Sequence, residues 1–519
     1  MIKIKTMKQF IYIWLGITLL CVVSCYDDKG NYDYHDINEV TFGDVKTTYN
    51  VLLNIDTLKI DALVEMSSGD KTDASRFHYA WIISPINTSN QKDTISTERV
   101  LNYFISLVPN TYDLYLKIWD KKTDVHWKKK FTVIVGTPYS RGLMLAGEDK
   151  NGNVDLQMIS MAGVDTVVVR NILQNSGLPA LRGPIAFFHT GKQNEEYKQV
   201  WVLSETGSYY LDRETLKGSE LNLFEDFCME KYNEPMVPIV MAPEAKSADG
   251  NIDGHRVVVC SNGYLFYTGL NFISYGTFSF PLNYLQDDLN KYIPASKYIF
   301  YSIQSFDKFI WYSEETDCFY KVTSYLYPYS EKIEPKLSDA FAWDQKGTGR
   351  KLIYGENTWN EAKAWVSDGN SFALMGDGTT AFIYKFYVKN LEAKNCYQIS
   401  SSVAADVLSA DYYAFSSTRS VLFYVKNNTL YAYNYDIGNE RVDVIPLETT
   451  DEITMLKFDL TMEPMKDALY IATYNATEGG SLRKYYVGNN PDKVELKSDP
   501  KAVWKGLTKV KNMSWRALL

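Results

Sequence analysis

Cysteine and histidine are scarce in this sequence. Its 519 residues include six cysteines and five histidines, and none of them forms a CxxC or HExxH pair. Zinc sites need Cys and His ligands at short, regular spacings, so the sequence gives no support for a zinc centre. We expect four thiols to pack as small apolar side chains, although an oxidising compartment would permit a disulfide between them: Cys228, Cys260, Cys318 and Cys396.

Runs of positive charge are also missing. The net charge is -9, and the densest basic cluster is the pentapeptide WKKKF at 127–131. A protein that follows a phosphate backbone needs a far more extended basic surface. The sequence therefore excludes nucleic acid as an expected partner, and it predicts that 127–131 is a solvated strand edge.

The motifs of two hydrolase classes are absent. There is no Gly-x-Ser-x-Gly segment, and SDGNSF at 367–372 only faintly resembles the aspartate box of sialidases. A glycosidase needs two carboxyl groups near the scissile bond. Neighbouring residues on a strand point to opposite faces, so adjacent acidic residues do not supply such a pair, and we expect these to be loop charges: Glu195/Glu196, Glu225/Asp226, Asp287/Asp288 and Glu314/Glu315.

Long hydrophobic helices are missing as well. No stretch keeps a 3.6-residue apolar period, which predicts an all-β fold. The N-terminal apolar run, residues 10–23, has about 14 residues and is too short to cross a bilayer comfortably. Lys3, Lys5 and Lys8 precede it, a pattern typical of a secretory signal peptide.

A single cysteine follows this run. Ser24 is a small residue of the kind found before a cleavage site, and Cys25 would become the first residue. Residues 1–24 resemble a bacterial lipoprotein signal, although Val22 stands where that family usually has leucine. The resemblance implies that Cys25 is acylated and anchored in lipid, with about 0.8 kcal/mol contributed by each buried methylene. An ordinary secretory signal with an incidental cysteine is the alternative.

Residues 25–37 are acidic and contain glycine, and we expect them to form a flexible leash. Acidic residues just after the lipidated cysteine resemble the surface-export signal of lipoproteins from glycan-foraging Gram-negative bacteria. The resemblance implies an outer-membrane lipoprotein exposed at the cell surface. Display toward the periplasm stays open.

Residues 38–136 have the pattern of a β-sandwich. Apolar and polar residues alternate in TYDLYLKIWD at 111–120, which predicts that Tyr112, Leu114, Leu116 and Ile118 share one strand face. FHYAWIIS at 77–84 supplies an earlier strand with Trp81 as a core residue. These short strands favour an immunoglobulin-like sandwich, and their order resembles a PKD-type domain.

Residues 140–519 contain a repeated hairpin pattern. Seven segments consist of an apolar strand, a polar turn and an aromatic strand, and they begin roughly 50–57 residues apart, at positions 142, 199, 256, 308, 363, 420 and 468. This predicts a β-propeller of six to eight blades, with seven favoured. LTKVKNMSW at 507–515 is predicted to pair with the first blade. An irregular all-β domain is the alternative.

The opening CYDDKGNYDY, the sandwich and the long β-rich C-terminal region together resemble the PKD-like family of lipoproteins from glycan-foraging bacteria. The resemblance covers nearly the whole chain. It implies an accessory component of a nutrient-uptake system, and it supplies no catalytic residues.

One segment resembles half of a calcium loop. Asp249, Asn251 and Asp253 place oxygen atoms at alternate positions and are followed by Gly254. Cys260 stands where the bidentate glutamate of such a loop would be needed. Calcium is thus the one cofactor that the sequence leaves open, and a turn between strands is the alternative.

Aromatic residues are abundant, with 40 tyrosines and 11 tryptophans. Flat rings with a polar tip stack on sugars and fill protein interfaces. Nine aromatic residues near turns or strand ends are therefore candidate ligand contacts: Tyr209, Tyr210, Tyr275, Trp311, Tyr312, Tyr325, Tyr327, Tyr329 and Trp359.

These patterns favour a non-catalytic lipoprotein whose propeller binds a glycan or an outer-membrane transporter complex. A propeller-type glycoside hydrolase or lyase is one alternative, and a protein–protein assembly module of a transporter complex is another. An enzyme should bring two or three carboxyl groups together in the central channel, within roughly 5–10 Å. A channel lined by aromatic residues alone would count against catalysis.

Overall fold

A computed structural model describes residues 38–86, 91–163, 165–189, 200–245, 247–250, 255–269, 278, 281–285, 288–303, 305–323, 329–359 and 369–517. The predicted signal peptide, Cys25 and the leash lie outside the described residues. Within the described ranges, no helix has both the length and the apolar character needed to cross a membrane.

The N-terminal region forms two layers of β-strands. One layer is a five-stranded sheet in the order β2-β9-β8-β5-β6, and the pairs β1-β4 and β3-β7 pack over it. The strands are β1 (Val40–Phe42), β2 (Thr48–Leu52), β3 (Thr57–Ile60), β4 (Val64–Met66), β5 (Phe77–Pro85), β6 (Asp93–Ser96), β7 (Leu101–Phe104), β8 (Asn110–Asp120) and β9 (Val125–Gly136).

The sandwich core follows the alternation in the sequence. Tyr112, Leu114, Leu116 and Ile118 of β8 are all buried on one face, as predicted. Trp81 is 0% exposed, and its indole Nε1 donates a hydrogen bond to the Glu98 carbonyl oxygen at 2.9 Å. Because a buried indole N–H needs an acceptor, this bond explains how the ring is accommodated in the core.

The basic segment 127–131 lies at a sheet edge, as predicted. β9 pairs with β8 along its length, but β2 pairs with β9 only from Thr132 to Gly136. Lys128 and Lys130 are exposed. Lys130 forms an ion pair with Asp113 on the neighbouring strand at 2.7 Å.

The C-terminal region contains short strands and one short α-helix. Up to residue 332, its strands are β10 (Arg141–Glu148), β11 (Val154–Ser160), β12 (Val167–Val169), β13 (Pro184–His189), β14 (Val200–Ser204), β15 (Tyr209–Leu211), β16 (Pro238–Ala242), β17 (His255–Cys260), β18 (Leu265–Gly269), β19 (Tyr284–Leu285), β20 (Asp288–Tyr292), β21 (Ile299–Ser302), β22 (Ser305–Ser313), β23 (Cys318–Val322) and β24 (Glu331–Lys332). The following elements are β25 (Lys351–Thr358), β26 (Asn370–Gly376), β27 (Ala381–Tyr387), β28 (Glu392–Gln398), α1 (Ser401–Leu408), β29 (Tyr412–Phe415), β30 (Val421–Lys426), β31 (Thr429–Asn434), β32 (Arg441–Ile445), β33 (Glu452–Phe458), β34 (Ala468–Asn475), β35 (Gly479–Val487), β36 (Leu496–Leu507) and β37 (Lys509–Ala517).

Within the described residues, these strands form seven antiparallel sheets of three or four strands and one separate pair, β19-β20. We number the seven sheets in chain order. Sheet 1 has the order β12-β11-β10-β37, sheet 2 is β13-β14-β15, sheet 3 is β16-β17-β18, sheet 4 is β21-β22-β23-β24, sheet 5 is β25-β26-β27-β28, sheet 6 is β29-β30-β31-β32 and sheet 7 is β33-β34-β35-β36.

Six of the seven hairpins predicted from the sequence are present as antiparallel pairs, one in each sheet except sheet 5. In sheet 5 the hairpin was placed too early in the chain, because the matching pair is β26-β27. The first strand predicted there falls within 360–368, outside the described residues, and its second strand is β26, which pairs with β25 and β27.

The last strand returns to the first sheet, as predicted from residues 507–515. β37 pairs antiparallel with β10, with Leu143 opposite Trp515 and Leu145 opposite Met513. Gly142 lies in this pair at a φ of +149°, and a Cβ there would lie 2.1 Å from the Ile159 carbonyl oxygen. Ile159 is on β11, the other neighbour of β10, so only glycine fits this close approach of β10 to β11.

A hydrophobic cluster fills the space between each sheet and the next one in the chain. A seventh cluster joins sheet 7 to sheet 1, through Met455 and Tyr470 on one side and Leu143, Leu145 and Trp515 on the other. Each sheet thus has both faces covered, as expected for blades packed face to face. The arrangement is propeller-like.

Hydrogen bonds also join strands of neighbouring sheets. The strands involved are β37 of sheet 1 and the first strand in the chain of sheets 2, 4, 5 and 7. Thr454 Oγ1 of sheet 7 donates to the Val510 carbonyl at 2.7 Å, and Asn357 Nδ2 of sheet 5 donates to the Ile299 carbonyl of sheet 4 at 2.9 Å. Ser514 of sheet 1 donates in the same way to the Phe187 carbonyl of sheet 2. These bonds hold the first strands side by side around the site described next.

Candidate functional site

A cavity lies between the first strands of several sheets. Its inner part has a volume of about 260 Å³ and is lined by segments of sheets 3, 4, 5 and 7, at 240–245, 297–303, 354–357 and 456–461. An outer part of about 510 Å³ shares Tyr298, Tyr354 and Lys457 with it and extends to sheets 6 and 1. We call the two parts together the central cavity.

Three tyrosines form one wall of the central cavity. The ring of Tyr354 lies 5.7 Å from that of Tyr298, edge-on, and 5.2 Å from that of Tyr413. Tyr298 and Tyr413 donate their hydroxyl protons to the carbonyls of Ile353 and Val407, at 3.1 and 2.6 Å. Burial raises the pKa of Tyr413 to about 12, and burial also raises the pKa of Tyr354 well above its usual value. These rings are therefore neutral, fixed surfaces.

Glu356 is the least solvated carboxyl group of the cavity wall. Its Oε2 accepts hydrogen bonds from the Phe415 backbone N–H at 2.7 Å and from the Tyr354 hydroxyl at 3.2 Å. Burial raises the pKa of Glu356 to about 8, and the negative charge of Glu244 acts in the same direction. Because this pKa lies above 7, Glu356 is mostly protonated at neutral pH and has an O–H to donate.

Glu244 forms an ion pair with a lysine of sheet 7. Its Oε1 lies 2.6 Å from the Lys457 Nζ, and both side chains are partly exposed to the cavity. The Glu244 backbone N–H donates to the Tyr301 hydroxyl at 3.2 Å, which holds the start of the loop after β16. The cavity thus contains one neutral carboxyl group, Glu356, and one carboxyl group held in an ion pair, Glu244. Two carboxyl groups in different environments take different proton-transfer roles in many active sites.

Asn357 fixes the wall beneath these groups. Its Oδ1 accepts from the Tyr301 N–H at 3.0 Å and from Ser371 Oγ at 2.7 Å, while its Nδ2 bonds to sheet 4 as described above. All its polar atoms are used within the protein. Asn357 therefore holds the strands of sheets 4 and 5 together beneath Glu356 and Tyr301.

The outer part of the central cavity carries mixed charge. Lys297, Lys457 and Lys511 line it together with Asp411, and the Lys297 Nζ lies 5.3 Å from the centre of the Tyr298 ring. Tyrosine faces beside hydrogen-bonding groups of both kinds suit a ligand with many hydroxyls and an apolar ring face.

Two of the aromatic candidates from the sequence are core residues. Trp311 and Tyr312 are 0% exposed and lie on opposite faces of β22. Trp311 packs between sheets 3 and 4 and donates from Nε1 to Ser330 Oγ at 2.9 Å, whereas Tyr312 packs between sheets 4 and 5. Rings enclosed in this way do not contact a ligand, so their prediction as binding residues is corrected.

The other aromatic candidates that the structure describes do not line the central cavity. Tyr209 is buried between sheets 1 and 2, and Tyr210 packs 5.2 Å from the ring of Phe227. Tyr329 and Trp359 are half-buried. Three candidates, Tyr275, Tyr325 and Tyr327, lie outside the described residues.

The calcium prediction falls mostly outside the described residues. Asp249 is exposed and accepts a hydrogen bond from Ser247 Oγ, whereas Asn251 and Asp253 are not described. Across the described ranges, no three His, Cys, Asp or Glu residues are grouped as metal ligands. The four thiols considered above are free cysteines, and Cys260 and Cys318 are buried.

Sequence reasoning missed the residues of the central cavity. Tyr298, Tyr354, Glu356 and Lys457 all belong to the first strand of a sheet or flank it, and Glu244 follows one. The repeat pattern detected the hairpins of six sheets, which are tight strand pairs, and not the strands that line the cavity. A search for the strand that precedes each hairpin would have found these positions.

A model of the PKD-like family matches residues 25–184. The matched segment spans the described strands of the sandwich and continues to the start of β13. The N-terminal region is thus similar to the PKD-like family, in line with the resemblance inferred from its sequence. No curated protein sequence matches the chain.

Several solved structures are similar to the chain at low identity. A quinonprotein alcohol dehydrogenase-like protein from Bacteroides thetaiotaomicron has 13% identity and a TM-score of 0.31, over 93% of this chain and 100% of its own. PorZ, a surface component of the type-IX secretion system of Porphyromonas gingivalis, has 11% identity and a TM-score of 0.30, over 76% and 44%. The Dos1 propeller has 13% identity and a TM-score of 0.34, over 66% and 81%.

Proposed function

We propose that the C-terminal region is a closed seven-bladed propeller and that its central cavity binds a glycan. Seven sheets, each packed on its neighbours, and the pairing of β37 with β10 support the ring. The cluster between sheets 7 and 1 supports its closure. Closure of the ring would make the cavity the axial channel of the propeller, where ligands commonly bind.

The observation that carries the glycan proposal is the combination of groups on the cavity wall. Tyr298 and Tyr354 offer ring faces to the C–H face of a sugar. Glu356 offers an O–H donor, and Glu244 and Lys457 offer an acceptor and a donor. Sugars have hydroxyls that both donate and accept, so this set matches their chemistry without requiring a metal.

We propose further that the protein is held at the outer membrane by acylation of Cys25, facing the cell surface or the periplasm. The sandwich then serves as a spacer, and the propeller captures glycan close to a transporter complex. Tethering raises the effective concentration of the bound ligand near that complex. In this role the protein is a non-catalytic accessory component of nutrient uptake.

A glycan array tests the binding proposal. The chain from Asp27 onward should bind one class of glycan, and Tyr298→Ala and Glu356→Ala should each weaken that binding about tenfold or more, since each removes a contact of about 1–3 kcal/mol. Glu315→Gln, at an exposed position outside the central cavity, is the matched control. Unchanged binding by both cavity variants would refute the site, even if the array identifies a glycan.

A second candidate function is favoured by the two carboxyl groups. A protonated Glu356 could act as the acid of a glycosidase, and Glu244, which is ion-paired with Lys457, offers the second carboxyl group that such an enzyme needs. Turnover of aryl glycosides that falls at least about a hundredfold in Glu356→Gln would support this candidate. Binding without turnover would support the non-catalytic proposal instead.

A further inference from the structure

A buried group of basic side chains lies near the junction of sheets 1, 2 and 3. Arg516 of β37 is 0% exposed, His189 at the end of β13 is 2% exposed and Arg256 of β17 is 1% exposed. Burial lowers the pKa of His189 well below its usual value, and the positive charges of Arg516, Arg256 and Arg213 lower it further. His189 is therefore neutral, and the charge of this group comes from its arginines.

Arg516 has hydrogen-bond donors that the described residues leave unused. Its Nη2 donates to the Arg213 carbonyl oxygen, but its Nε and Nη1 are buried and have no hydrogen-bond partner among the described residues. Neither ring nitrogen of His189 has a partner among the described residues. Burial lowers the pKa of Arg516 to about 9, so it still carries its charge at pH 7. Buried donors of a charged group that are left unpaired are costly, so an acceptor beyond the described residues would stabilise Arg516.

The residue that bonds to Arg516 also lines a cleft. Arg213, whose carbonyl accepts the bond from Arg516, lines a cleft of about 610 Å³ between the sandwich and sheet 2. Asn110, Thr111 and Ser140 also line this cleft and supply neutral polar groups.

Two carboxylates, Glu214 and Asp212, act on the charge of Arg516. Glu214 pairs with the Arg213 Nε at 3.1 Å and is itself part of the cleft wall. Asp212 accepts the backbone N–H groups of Glu214 and Thr215. Both carboxylates raise the pKa of Arg516, but burial and the charge of Arg213 oppose them and the net shift is downward.

We propose that the interdomain cleft, together with Arg213 and Arg516 at its propeller side, binds an oxyanion: a phosphate, sulfate or carboxylate group. A guanidinium group donates two parallel hydrogen bonds to such an anion and holds it better than a lysine does. The anion would accept hydrogen bonds from the Nε and Nη1 of Arg516. The neutral His189 ring would donate one further N–H to it. This site is separate from the central cavity and does not depend on the glycan proposal.

Thermal unfolding with added anion tests the site. At constant ionic strength adjusted with chloride, phosphate and sulfate should each raise the melting temperature saturably, by about 2–4 °C at a hundredfold excess over the dissociation constant. Arg516→Gln should abolish the rise. Arg182→Gln, at an exposed arginine that bonds to the Asn151 carbonyl, should keep it.

A second variant keeps the test decisive if Arg516→Gln does not fold. Arg213→Gln removes a partly exposed side chain but leaves the carbonyl that Arg516 uses, so it should fold and reduce anion affinity at least about tenfold. The proposal would be overturned if phosphate and sulfate raise the melting temperature no more than chloride does. It would also be overturned if the melting temperature of every variant rises equally, and either result would indicate an adventitious ion only.

The source of the anion can be read from the same experiment. A sulfated disaccharide that binds more tightly than inorganic sulfate, and loses binding in Arg213→Gln, would support the site and assign the anion to a charged glycan. Equal affinity for the two would support a site for the free ion. If neither ligand binds the protein, the cleft is not an anion site.

Discussion

Replacing Glu356 by glutamine should make the protein less sensitive to alkaline pH. In the folded protein the pKa of Glu356 is raised from 4.5 to about 8, chiefly by burial. The folded state therefore keeps a proton that the unfolded chain loses above pH 4.5. Stability contributed by this group is complete below that pH, decreases as pH rises toward 8 and is constant above it. The full loss is at most about 5 kcal/mol.

The side chain introduced by Glu356→Gln is neutral at every pH, so the variant does not lose this stability as pH rises. The glutamine Oε1 can still accept the hydrogen bonds that the Phe415 N–H and the Tyr354 hydroxyl donate to Glu356. At pH 5 the substitution should therefore lower the free energy of unfolding only slightly, by about 1 kcal/mol or less. Between pH 5 and pH 9 the melting temperature of the variant should therefore rise relative to wild type by roughly 5–10 °C.

Differential scanning calorimetry across this pH range, with Glu315→Gln as the exposed control, makes the comparison. Asp155, whose pKa is raised by burial to about 6, and other shifted groups are shared by both proteins and cancel in the difference. A difference between Glu356→Gln and wild type that stays constant from pH 5 to pH 9 would show that Glu356 is ionised throughout, and would refute the account of the cavity.

Three further predictions concern the ring, the sandwich and the tether. Deleting residues 509–519 removes β37 and exposes sheets 1 and 7, so the calorimetric transition of the propeller should be lost or fall by more than about 10 °C; an unchanged transition would contradict closure by this strand. Trp81→Ala should destabilise the sandwich by about 3–5 kcal/mol in urea unfolding, and Trp119→Ala, at a half-buried position, should cost less; equal costs would contradict the core position of Trp81. Cys25→Ala should move the protein from the membrane fraction to the soluble fraction, and a variant that still sediments with membranes would rule out the lipid tether.

Strands could be predicted from the sequence where their formation depends on residues that are close together in the chain. β8 shows this clearly, because the alternation of Tyr112, Leu114, Leu116 and Ile118 directly records which face is buried. The hairpins of the repeat are similarly local, since a polar turn between two apolar strands specifies antiparallel pairing. Even the pairing of β37 with β10, separated by most of the propeller, followed from the need to cover the edge of the first sheet.

The central cavity could not be predicted, because its residues are assembled from strands far apart in the chain. Glu244, Tyr298, Glu356 and Lys457 meet only after four sheets are placed around a common axis. Each has an unremarkable local sequence. The aromatic candidates failed for a related reason: Trp311 and Tyr312 lie in a strand with both faces covered, and a ring near a turn gives no sign of whether a neighbouring sheet covers it.

A crystal structure of the protein with the glycan selected by the array would test the central claim most directly. We predict sugar density in the central cavity, with one ring against Tyr298 or Tyr354 and a hydroxyl within hydrogen-bond distance of Glu356 Oε1. Density confined to the outer strands or to the sandwich, with the cavity unchanged, would contradict the claim that this cavity is the binding site.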